Sequence, residues 1–316
     1  MNPIARFIFP ILVFLGGCCY GPSSPTIKLA YEAGYVFDDV VMSQYFFGWL
    51  ILALLTLAFF VYGIITKKPK REIKSPFTIK KGFGIFLAGV SIALVSLTYV
   101  IALQTVPAYI AVILLFQFTW IGVIFQAIAE RRLPEKKTVI AVIILIFGTL
   151  LASGIIGVSV ELNPIGVFFG FLSAVFYALY MFLLGRVEVS MHPLNRSFLI
   201  MTCALILLIC IFSPAYFVSG VIFDGLWTYG IILGSIGCAV PMFLFAVGAP
   251  KISTGAATIL SSSELPASII CAMIILSEAV SVIQWIGIIL LFFGIALPYI
   301  FKGKGIHGPA GGLSGN

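Results

Sequence analysis

The sequence predicts an all-α polytopic membrane protein of ten transmembrane helices, arranged as two inverted five-helix repeats with both termini in the cytoplasm. Three observations predict it: too few charges for a soluble surface, ten apolar runs of helical length, and cations confined to alternate loops. Of the 316 residues, 61% are hydrophobic and 9% charged, and the mean hydropathy is +1.20. A soluble domain carries roughly 25% charged residues, so this chain cannot coat a water-soluble globule. A backbone inside a bilayer must satisfy its own hydrogen bonds, which leaves helices or a closed barrel. The apolar runs are about 20 residues long and do not alternate with period two, which selects helices.

In order, the runs cover 7–29, 39–64, 83–103, 107–128, 138–154, 163–185, 196–218, 227–248, 254–276 and 281–301. The first follows Arg6 and holds Gly16, Gly17 and Gly21, which permit close helix contact. It also holds Pro22 and Pro25, which deny hydrogen bonds to the carbonyls of Cys18 and Gly21. The second ends at the basic stretch KKPKREIKSPFTIKK (67–81), which reads as a topogenic loop rather than a nucleic-acid site. The third and fourth are joined by a short turn around Pro107. The fifth follows Arg131, Arg132, Lys136 and Lys137. The sixth and seventh flank a loop bearing Arg186 and Arg196. The eighth contains Pro241, which allows bending. The ninth is interrupted by SSSELP, and the tenth ends before Lys302 and Lys304.

With ten spans, every Lys and Arg except Lys28 falls on one side, which places both termini in the cytoplasm of a cell-membrane protein. The opposite loops carry Glu32, Asp38, Asp39, Glu161, Asp224 and Glu278. Removing MNPIARFIFPILVFLGGCC as a signal peptide would leave an odd number of spans and spoil this pattern. The six cysteines all lie within spans, and no ligand spacing appears, so no metal, cofactor or disulfide framework is expected. The Gly-rich tail 302–316 reads as disordered and cytoplasmic.

The chain repeats itself. ALQTVPAYIAVILLFQF (102–118) matches APKISTGAATILSSSEL (249–265) in pattern at an offset of 147. AERRLPEKKTVIAVIILIFGTLLA (129–152) parallels SEAVSVIQWIGIILLFFGIALP (277–298), each with a Glu at a helix end and a last span closing on Phe-Gly. The repeats are therefore 1–155 and 162–301. Five spans is an odd number, so the second repeat enters from the opposite side, and such folds bind solute near the midplane between halves. Together with YGPSSPTIKLAYEAG (20–34), these stretches resemble the EamA branch of the drug/metabolite transporter superfamily over nearly the whole chain. That resemblance implies ten helices and solute transport, often export of amino acids or related metabolites. Gln44 stands where such proteins often carry Arg.

Candidate site residues are the polar groups within the spans. Glu264 and Gln117, paired by the offset, sit near the middle of spans 9 and 4. A carboxylate at the bilayer centre costs at least ~2.5 kcal/mol, so Glu264 should face a cavity or the bundle interior. Pro266 cannot donate to the carbonyl of Ser262, and Ser261, Ser262 and Ser263 place hydroxyls beside the break. Glu264 would carry a proton or receive a substrate ammonium group. Ser23 and Ser24 sit between the prolines of span 1. Tyr99, Trp120, Tyr177 and Tyr180 could wall an apolar substrate, the last two sharing a helix face. Lys28 lies about 16 Å from the middle of its span; it either snorkels to the outer interface or meets a substrate carboxylate.

These features point to a non-enzymatic permease for a small organic solute, an amino acid or related metabolite, moved outward by alternating access, with protons as a candidate coupling ion. A carrier of phosphorylated or nucleotide-linked sugars would need several cations deep in the bundle. A membrane-embedded enzyme would need a catalytic motif, and no HExxH, GxSxG or paired Asp occurs in the spans. The expected partners are the substrate and the bilayer, without nucleic acid; monomer and homodimer both stay open.

Overall fold

The computed structural model describes residues 3–66, 79–155, 162–212 and 215–300. Lys67, Lys68, Lys70, Arg71 and Lys74, residues 156–161 of the expected joint, and the tail 302–316 lie outside these residues. Every regular element among the described residues is helical: α1 (Pro3–Tyr20), α2 (Ser23–Glu32), α3 (Phe37–Ile65), α4 (Ile79–Thr105), α5 (Ala108–Leu115), α6 (Phe118–Glu130), α7 (Lys136–Ala152), α8 (Pro164–Leu184), α9 (Pro193–Phe212), α10 (Ala215–Val218), α11 (Trp227–Gly234), α12 (Val240–Gly248), α13 (Thr254–Ser261), α14 (Glu264–Ile275) and α15 (Val282–Ile300). A kinked turn, Ile222–Leu226, with Gly225 at φ 104°, precedes α11, a π-helical turn, Ser235–Ala239, follows it, and a 3₁₀ turn, Ala249–Lys251, follows α12.

Among the described residues, nine segments are long and apolar enough to cross a membrane. They follow nine of the expected runs, and the chain is a multi-pass membrane protein. The seventh differs most. It starts at Pro193, because proline suits a helix's first turn, and ends at Phe212 rather than at 218. The fifth expected run is α7, whose 17 residues make a helix of about 25 Å. It packs along α15.

Three segments contain a break: α1/α2 at Gly21–Pro22, α5/α6 at Phe116–Gln117 and α13/α14 at Ser262–Ser263. The prolines act as expected, but their acceptors are not left open. Gly21 N donates to Cys18 O (3.0 Å), and Leu265 N donates to Ser262 O (3.3 Å). The chain tightens by one residue at each break, so the carbonyls of Cys18 and Ser262 are satisfied locally.

The helix boundaries also correct the offset between the matching stretches. α13 starts 146 residues after α5 (Thr254 against Ala108) and ends 146 after it (Ser261 against Leu115). α14 follows α6 (Glu264 against Phe118) and α15 follows α7 (Val282 against Lys136) at the same interval. The left-handed residues that end α6 and α14, Arg131 (φ 52°) and Ser277 (φ 55°), obey it as well. Gln117 therefore corresponds to Ser263, and Glu264 to Phe118, one residue away from the pairing read in the sequence.

Packing groups the helices around a shared centre. α4 lies on α8 and α9, α3 on α9 and α11, α1 on α12 and α13, and α6 on α8 and α13. One buried cluster runs through these contacts, from Val13 and Tyr45 to Tyr177, Met181, Phe245 and Leu260.

Candidate functional site

Glu264 is the first residue of α14, so the break before it sets where the carboxyl is held. The residue is half-buried. The phenols of Tyr20 on α1, Tyr99 on α4 and Tyr177 on α8 all lie within electrostatic range of its carboxyl. Four helices thus deliver one acid and three phenols to the same region. The Tyr177 ring is 4.4 Å from that of Phe118 and 6.4 Å from that of Tyr180. The hydroxyls of Tyr177, Tyr180 and Ser23 are buried and have no hydrogen-bond partner within the protein; Tyr177 stands beside Ser261 without the geometry of a bond. Buried polar atoms are nearly always paired; Tyr177, in electrostatic range of the Glu264 carboxyl, therefore offers an unpaired hydroxyl as a candidate contact for a polar guest.

The serines of the break serve the fold instead. Ser261, Ser262 and Ser263 are fully buried. Ser261 donates to Thr258 O (3.0 Å) and Ser262 to Ile259 O (2.5 Å), the back-bonding expected of hydroxyls in a helix. Ser263 reaches across to Phe14 O on α1 (2.7 Å). Gly17 makes that crossing possible: a Cβ there would run into the Ser263 hydroxyl and lie 2.7 Å from Ser261 O.

Gln117 and Trp120 are engaged with each other. Trp120 Nε1 donates to Gln117 Oε1 (2.7 Å), and Gln117 Nε2 donates to Ile113 O (2.8 Å). Both stay half-buried on the α5/α6 segment, where Trp120 packs at 6.1 Å from Phe171. Ser23 and Ser24 do not share an environment, Ser23 being buried and Ser24 exposed. Lys28 is exposed and forms an ion pair with Glu278, Nζ to Oε1 2.7 Å, rather than extending alone to an interface. Its partner lies just beyond the end of α14, which supplies a local anion.

Sequence reasoning missed three residues. Tyr20 went unread because one phenol at the end of an apolar run carries no signal. Arg196 was read as a loop cation. It is 1% exposed, in the first turn of α9, with Nη1 on Val187 O (3.1 Å) and Nη2 on Ala246 O. Pro250 explains its burial, since a proline cannot donate to the carbonyl four residues back; Ala246 O is left for the guanidinium. Gln44 plays the same part for Pro241: its Nε2 donates to Gly237 O (3.2 Å). At the loop between α8 and α9, Arg186 donates to Thr254 Oγ1 and covers the Phe182 ring at 4.0 Å. Burial pulls its guanidinium below the ordinary range, with Glu130 opposing.

The comparisons with known proteins agree with this architecture. Residues 164–300 match the EamA-like transporter family. That stretch belongs to the EamA family. The chain is also 28% identical over 293 residues to the Bacillus subtilis (strain 168) protein named uncharacterized transporter YcbK, covering 90% of each. A protein of known crystal structure shares the fold at a TM-score of 0.67 and 15% identity, over 92% of this chain and 97% of that one. The resemblance seen in the sequence is borne out over that stretch, and the chain carries an EamA-like transporter domain. The EamA match takes in α8 to α15, and with them Tyr177, Tyr180, Arg196 and Glu264.

Proposed function

We propose that this EamA-type permease moves a small organic solute bearing a cationic amine, by alternating access around Glu264. The observation that carries the reading is the half-buried carboxyl at a helix break, with three tyrosines in electrostatic range and orphaned hydroxyls beside them. An ammonium group finds there one full counter-charge and the faces of aromatic rings, which attract cations. An amino acid or related metabolite fits that chemistry. In the solute-free cycle a proton takes the same place, which would couple transport outward to proton entry.

In this reading the chain forms two inverted repeats of five helices, 1–155 and 162–301, in the cell membrane with both termini cytoplasmic. The constant 146-residue interval of three helix starts, one helix end and one pair of left-handed residues supports the duplication. So does the packing: α6 on α13 joins the broken spans α5/α6 and α13/α14, α7 packs on its counterpart α15, and α4 on α8 has its counterpart in α12 on α1. Sugar phosphates fit less well. Among the described residues Arg196 is the one buried Lys or Arg, and two carbonyls hold it.

The test is solute flux in proteoliposomes. A thermal-shift screen of amino acids, polyamines and cationic drugs first supplies a solute; Glu264→Gln should then abolish both the shift and the flux. Full flux with unchanged pH dependence in Glu264→Gln overturns the reading.

A further inference from the structure

Four prolines of the described spans, Pro22, Pro241, Pro250 and Pro266, fall into two classes. At the α1/α2 and α13/α14 breaks, the carbonyl that a proline cannot serve is taken by a backbone N–H of the same segment. Such a kink is set by its own chain and moves with it. The crossing segment Ile222–Lys251 differs at both ends of α12. Gly237 O, opposite Pro241, is taken by Gln44 of α3, and Ala246 O, opposite Pro250, by Arg196 of α9. These donors sit on other helices, so the contacts break if α12 shifts against its neighbours. A third tether, Ser197 Oγ to Met242 O (3.3 Å), comes from the same turn of α9 as Arg196.

α12 is thus a nine-residue rod with a π-helical turn before it and a 3₁₀ turn after it. Irregular turns of this kind are common hinge points. The rod also leads to the central acid. Phe245 of α12 lies where a Cβ on Gly16 of α1 would stand, at 2.6 Å. The neighbouring residue, Gly17, faces the Ser263 hydroxyl, which bonds Phe14 O. Displacement of α12 therefore presses on α1, and α1 presses on the break that holds Glu264.

We propose that α12 is the moving rod of the transport cycle, and that Gln44 and Arg196 are its positioning residues, detachable clamps on the two proline-orphaned carbonyls. The clamps hold one end-state, and their release permits the other. Pro241 and Pro250 are what make release cheap, because no backbone ladder has to be broken. This inference rests on the permease reading, but its test reads motion rather than flux, so the two can fail separately.

Cys238 lies in the π-helical turn and is 6% exposed. It is eight residues, about 12 Å, from Ala246. With the other five cysteines replaced, alkylation of Cys238 by N-ethylmaleimide in liposomes reports opening at one end of α12 when the clamp at the far end is altered. Arg196→Gln should speed alkylation about tenfold, the effect of losing a hydrogen bond from a charged donor, with the melting temperature tracked in parallel. Adding Pro250→Ala, which restores a backbone N–H to Ala246 O, should return the rate to its starting value. Should Arg196→Gln fail to fold, Pro250→Ala alone should slow alkylation severalfold. A Cys238 rate indifferent to these changes, or equal to the rate of global unfolding, overturns the proposal.

Discussion

At the scale of single residues, buried hydroxyls separate into those bonded within the protein and those without a partner there, which the proposed function assigns to a guest. Tyr45 donates to Ile92 O (3.0 Å) and shares a 2.8 Å bond with Ser96. Tyr180 is equally buried and has no partner within the protein. Tyr45→Phe should therefore lower stability by about 1 kcal/mol. Tyr180→Phe should leave the melting temperature level or raise it, since it deletes an unpaired polar atom, while weakening the thermal shift produced by a solute. Equal losses of stability in the two variants would remove Tyr180 from the site. Gly17→Ala offers a sharper probe: its methyl meets the Ser263 hydroxyl and the Ser261 carbonyl, and overpacking of this kind costs about 1–3 kcal/mol. Glu264 is legible as a candidate site residue because a charge inside an apolar run is anomalous by composition alone. Tyr20 and Tyr180 could not be ranked that way, because orphaning depends on neighbours that sequence spacing does not reveal.

At the scale of elements, apolar periodicity delivers the spans and misjudges their interiors. The run 254–276 reads as interrupted at SSSELP, and the break falls within that stretch, at Ser262–Ser263, ahead of Pro266. A proline's effect is felt one turn toward the N-terminus, where its missing N–H was needed. No such signal exists for α5/α6. That segment breaks at Phe116–Gln117 without a proline, so sequence alone could not place it. Arg196 was misread for a related reason: charge near the end of a run looks topogenic until the carbonyls that receive it are known. The N-terminus of α13 carries its own prediction. Ser253 accepts from Ala256 N (3.3 Å), and Gln126 of α6 accepts from Gly255 N (2.8 Å). Gln126→Leu leaves the buried Gly255 amide unpaired and should cost about 1–3 kcal/mol, read as a lower melting temperature. Ser253→Ala, which removes an ordinary N-cap, should cost about 1 kcal/mol. A Gln126→Leu variant as stable as the parent would show that α6 does not hold α13 at that end.

At the scale of the whole molecule, everything turns on whether α7 crosses the bilayer. Its 17 residues give about 25 Å against a hydrocarbon core of about 30 Å, a mismatch that local thinning of the bilayer or flanking residues that reach the interface accommodate at modest cost. Lys136 and Lys137 start the helix, and Lys137 pairs with Glu135 at 3.1 Å, so its charged end suits an interface. If α7 crosses, the nine other spans make ten, the termini share a side, and Lys28 with Glu278 faces the opposite one. If it does not, the termini lie on opposite sides and the second half is no longer inverted against the first. Topology reporters decide between these. Fluorescent-protein and alkaline-phosphatase fusions at each terminus should report cytoplasm for both. A cysteine at Glu278 should react with a membrane-impermeant maleimide added outside, and one at Lys251 should not. Loss of the Lys28 ion pair in that variant should barely move the melting temperature, because exposed ion pairs contribute little. A periplasmic or extracellular C-terminus with a cytoplasmic N-terminus would end the inverted-repeat reading, and with it the alternating-access mechanism, while leaving the carboxylate and its tyrosines where they are.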